Sequence, residues 1–72
     1  MNSEEARGRV ETAALELADT LRARAAIADP APTVEEAAMR RLLTRRVKVR
    51  RVALRGYAYA YGEALLTEAM RD

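Results

Sequence analysis

The stretch Asp29-Pro30-Ala31-Pro32-Thr33 limits what this chain can become more than any other part of it. Neither proline can sit inside a helix: each lacks a backbone N–H, and its ring collides with the preceding turn. Each also pushes the residue before it out of the α region. Thr33-Val34-Glu35-Glu36 has the pattern of a capping box, in which the Thr33 hydroxyl caps the new helix and Glu36 reaches back. One helix must end before residue 29, and another begins at residue 34.

The arm before the prolines, Ser3 to Ala28, carries Val10, Ala14, Leu17, Leu21, Ala25 and Ala28 at spacings of three and four, which predicts one apolar helical face. Alanine, leucine, arginine and glutamate favour the helix, and only Gly8 weakens it. Ser3 is the expected N-cap, with Glu4 and Glu5 placed to complement the helix dipole. In the arm after the prolines, Met39, Leu43, Val47, Leu54, Tyr57, Tyr61 and Leu65 form the expected inner stripe. The rival for this region is a short strand at Val47–Leu54. Its alternation fails where Arg50 and Arg51 adjoin, and there is no second strand to pair with it. Gly56 and Gly62 each cost a helix about 1 kcal/mol and mark where the long arm would bend. The expected fold is all-α: a helical hairpin in a single domain, 1–72, with helix 3–28, turn 29–33 and helix 34–70.

Such a hairpin has little to bury. Sixteen of its 72 residues are alanine, and phenylalanine and tryptophan are missing. Burying a large aliphatic side chain gains about 1.5–3 kcal/mol, whereas ordering each residue costs about 1.5 kcal/mol. Small domains usually close this gap with disulfides, a metal or assembly. There is no cysteine, and no histidine to help hold a metal, so no metal or other cofactor is expected. Assembly remains, and a homodimer or higher helical bundle is expected. No apolar run approaches the ~20 residues of a membrane span. The acidic start, Met1-Asn2-Ser3-Glu4-Glu5, is unlike a signal peptide, so the expected location is cytoplasmic.

Charge is segregated along the chain. Residues 1–38 hold eight acids against four bases, whereas residues 39–62 hold eight bases and no acid. On a helix, Arg41, Arg45, Lys48, Arg51 and Arg55 form one ridge opposite Leu43, Val47 and Leu54. Like charges on adjacent turns repel, and phosphates would relieve that repulsion while making affinity depend on salt. A solvated ridge, or one paired with acids of a neighbouring subunit, is the plainer reading. Arg46 and Arg50 fall inside an apolar arc with Leu42, Leu43, Val47, Val49 and Leu54. Buried there they would need partners, with Glu16 or Asp19 the candidates, in the same or a second chain. Tyr59, Leu66 and Met70 make a second apolar strip, which reads as a partner or oligomer interface, with base stacking as the alternative.

Catalysis is not expected. The commonest general base and the commonest thiol nucleophile are both missing, and no glycine-rich phosphate loop is present. The function expected is that of a small, non-catalytic regulatory module that binds nucleic-acid phosphates through the ridge Arg41–Arg55. The competing expectation is a protein–protein adaptor or inhibitor that docks through Tyr59, Leu66 and Met70, with Arg46 and Arg50 gripping acids.

Overall fold

The computed structural model describes residues 1–71. It contains two helices, α1 (Ser3–Ala25) and α2 (Val34–Met70), packed side by side as an antiparallel hairpin. At about 1.5 Å per residue, the 37 residues of α2 run for about 55 Å, close to the 59 Å long dimension of the whole molecule. No helix among the described residues is long and apolar enough to cross a membrane.

Thr33 caps α2 as its sequence implies: the hydroxyl accepts the Glu36 N–H at 3.1 Å, and Glu35 and Glu36 occupy the first turn. The expected cap of α1 is corrected by one residue. Asn2, not Ser3, is the N-cap, its side-chain oxygen accepting the Glu5 N–H at 2.8 Å. Asparagine caps as well as serine does, and its use here frees the Ser3 hydroxyl for another bond. The end of α1 is also corrected, from residue 28 to Ala25. The Ile27 N–H turns to the Arg24 carbonyl at 3.1 Å, tightening the last turn before the prolines. Helix α2 continues through Val47–Leu54, Gly56 and Gly62, so the rival strand is not present.

The packing seam differs from both expected stripes in its period. On α1 it runs through Ser3, Ala6, Val10, Ala13, Leu17 and Thr20, in steps that alternate between three and four. On α2 it runs through Arg40, Leu43, Val47, Arg50, Leu54, Tyr61, Ala64 and Glu68 with the same repeat, Tyr57 lying at its edge. That is the 3.5-residue period of two helices wound around each other, not the 3.6 of a single one. The slower drift leaves Ala14, Ala25 and Ala28 exposed and brings in Ala13 and Thr20 instead. Met39 and Leu65 likewise fall outside the seam, at 48% and 45% exposure. Small residues on α1 face larger ones on α2, which lets the two helices approach closely. The core is correspondingly thin, because Leu43 and Val47 are its only large buried apolar side chains among the described residues.

Polar groups close both ends of the seam. At one end Ser3 donates its backbone N–H and its hydroxyl to the Glu68 carboxylate, at 2.8 and 2.7 Å. These bonds to the charged form hold the Glu68 carboxyl below its ordinary value. They also give a free N–H of the first turn of α1 an acceptor. At the other end the Arg40 guanidinium donates to the carbonyls of Arg24 and Ile27, at 3.4 and 3.2 Å, and meets the Asp29 carboxylate at 3.4 Å. Arg40 therefore caps the C-terminus of α1 from the facing helix. Between these ends, Thr20 and Thr44 donate back to carbonyls four residues earlier, so neither hydroxyl is left without a partner.

Candidate functional site

The central third of α2 carries the charge. Arg41, Arg45, Lys48, Arg51 and Arg55 are all exposed, and steps of four, three, three and four place them on successive turns. The ion pairs among the described residues are Arg7–Glu11, Arg22–Asp19, Arg40–Asp29 and Arg50–Glu16. No ridge residue belongs to any of them, so the five cations face solvent without an acidic partner in their own chain, among the described residues. Helix α1 covers the seam side of α2, and the ridge lies off that side, with Asp29 near its N-terminal end. At the ridge's N-terminal end, Arg41 and Arg45 border a shallow notch formed with Asp29, Pro30, Ala37 and Thr44.

The two arginines expected in the apolar arc behave differently. Arg50 lies on the seam and donates to Glu16 of α1 at 2.8 Å. Both side chains keep contact with water, at 34% and 57% exposure, so this pair contributes little to stability, about 0–1 kcal/mol. Its clearer effect is on register, since it fixes which turns of the two helices face each other. Asp19, the other candidate, binds Arg22 on its own helix at 2.7 Å instead. Arg46 is exposed and has no salt-bridge partner among the described residues. The seam passes through Val47 and Arg50, leaving Arg46 about 70° to one side. The arc expected to hold it divides into two faces: Leu43 and Val47 are buried, whereas Val49 is 68% exposed.

Tyr59, Leu66 and Met70 are exposed at 72%, 56% and 75%, on the side of α2 turned away from α1. Sequence reasoning found these three but missed that Leu42, Val49 and Val52 continue the same face toward the N-terminus. It also missed the roles of Arg40, Ser3 and Glu68. The available signal for all of them was the strict alternation of three and four, which admits polar residues to a seam as readily as apolar ones. A cleft on the hairpin's flank, beside Gly8, is lined by Arg9, Glu16, Arg50 and Tyr57. Among the described residues no group of three or more acids could hold a metal ion. No protein-family model, curated protein or solved structure matches this chain.

Proposed function

We propose that this chain is a small, non-catalytic binding module of the cytoplasm that takes nucleic-acid phosphates along the ridge Arg41–Arg55. One observation carries the reading: five exposed cations on successive turns of a single helix have no salt-bridge partner in their own chain, among the described residues. Keeping such a row charged against its own repulsion favours a polyanionic partner, and a sugar–phosphate backbone presents charges along a line as the ridge does. Arginine, four of the five, suits phosphate because its planar fork can donate two bonds at once. Cations spent on phosphates carry no sequence information directly, so binding should depend weakly on sequence.

Salt tests this directly. Titrated with labelled single-stranded DNA, duplex DNA and RNA, the chain should bind at ~50 mM salt and weaken steeply as salt rises. Five phosphates neutralised per protomer give a log–log slope of about −4.5 on duplex DNA. Absence of binding at ~50 mM, where phosphate contacts are strongest, would end this reading.

A second reading rests on the exposure of Tyr59, Leu66 and Met70. In it the chain is an adaptor or inhibitor that docks on another protein through this surface.

A further inference from the structure

We infer that the outer face of α2 is the binding site for a second copy of this chain, which docks on it antiparallel around a twofold axis at the height of Leu54. The inference does not rest on phosphate binding.

The outer face repeats the inner one. Advancing each seam position of α2 by two residues, about 200° of rotation, gives Leu42, Arg45, Val49, Val52, Gly56, Tyr59, Glu63, Leu66 and Met70. Steps of three and four alternate along this whole row, so α2 carries two opposed seams of the same period. One is covered by α1. The other lies open, with Leu42, Val49, Val52, Tyr59, Leu66 and Met70 all among the exposed large hydrophobics. The matching outward row of α1, Glu5, Gly8, Thr12, Leu15, Asp19 and Arg22, holds one large apolar residue against six on α2, so the open apolar seam is specific to α2.

Charge identifies the occupant. The open row contains one base and one acid, Arg45 and Glu63, and neither has a salt-bridge partner within its chain among the described residues. They lie eighteen residues apart, about 27 Å along the helix, and cannot reach each other in one molecule. A twofold axis beside Leu54 exchanges them, setting Arg45 of each chain against Glu63 of the other. The same operation brings Leu42 to Leu66, Val49 to Tyr59 and Val52 to Gly56. Every position of the row between Leu42 and Leu66 therefore meets another of the row. Gly56 gains a role here: a Cβ at this position would meet nothing within 4 Å in the single chain. Its bareness instead lets the two helices approach closely opposite Val52.

A parallel pair would set Arg45 against Arg45 and Glu63 against Glu63, so the charges select the antiparallel arrangement. Arg41, Lys48 and Arg55 line one edge of the row. In the antiparallel pair the two copies of that edge lie side by side, joining both ridges into one basic band. The two Arg55 side chains approach each other near the axis, and this is the unfavourable contact that an anion across the band would relieve.

Light scattering and sedimentation equilibrium, in the absence of nucleic acid, test the proposal. Native chain at micromolar concentrations should have twice its 8.0 kDa mass. Arg45→Glu and Glu63→Arg should each weaken association by about a hundredfold, because each sets like charges together twice per dimer. The double variant R45E/E63R should restore it. Circular dichroism checks that helix is kept, as expected for substitutions at exposed positions. A native chain of single mass, a trimer or larger assembly, or a dimer indifferent to Arg45→Glu would each overturn the proposal.

Discussion

Replacing Arg41, Lys48, Arg51 and Arg55 together with glutamine is expected to remove nucleic-acid binding while leaving helix content unchanged and the proposed dimer at least as tight. All four side chains are exposed, and none belongs to an ion pair of the fold, so no native contact is lost. Glutamine is nearly as good a helix former as arginine, and removing like charges at neighbouring turns relieves repulsion of a few tenths of a kcal/mol per pair. The variant should thus be at least as stable as the native chain. Binding should nevertheless collapse, since the four phosphate contacts of these residues are gone and the salt slope should become shallower by about 3.6 per protomer. Arg45 is retained because it faces Glu63 of the second chain in the proposed dimer. Fluorescence anisotropy at ~50 mM salt reads the effect. Binding of native strength in this variant would show that the ridge does not carry the interaction.

The largest expected effect on folding comes from Val47→Asp. Val47 is 2% exposed, the most deeply buried large side chain of the hairpin, and lies between Leu43 and Arg50 on the seam. An unpaired carboxylate left there costs about 3–5 kcal/mol. Domains of ordinary size have a margin of about 5–15 kcal/mol, and a core with two large buried side chains belongs at the low end of that range. Val47→Asp should therefore unfold the chain at room temperature, with loss of the helical circular dichroism. Val47→Ala should cost about 2 kcal/mol from lost burial and the cavity left behind. Leu15→Asp is the control, because Leu15 is 65% exposed on the outer side of α1 and its substitution should change stability little. Equal sensitivity at positions 15 and 47 would mean that the seam has been misplaced.

How far the sequence discloses this molecule follows from which forces are local. Two prolines and the Thr33 cap act within a turn or two of themselves, so the division into two arms and the start of α2 are readable directly. The choice of Asn2 over Ser3 as cap is not, because Ser3 is claimed by Glu68 on the far side of the chain. The inner faces are readable only to within about a residue. A lone helix turns every 3.6 residues, but two coiled helices share a seam every 3.5. The difference accumulates until Ala14 yields to Ala13 and Ala25 turns to solvent. Two polar seam positions were hidden for a different reason. Arg40 and Glu68 are charged, and an apolar-pattern search discards them, although each has its partners on α1 or just beyond its end, whereas Arg50 and its partner Glu16 were legible from the apolar arc around Arg50. The ridge was legible because exposure on a helix depends only on angle, and all five of its residues lie clear of α1.

Both the basic ridge and the open apolar row exist only if α2 is one uninterrupted helix from Val34 to Met70. Backbone chemical shifts from nuclear magnetic resonance test this residue by residue. Helical Cα shifts throughout, including Val47–Leu54 and across Gly56, are the expected result. Extended-chain shifts between Val47 and Leu54 would contradict it, and would disperse the five cations and the Arg45–Glu63 register together.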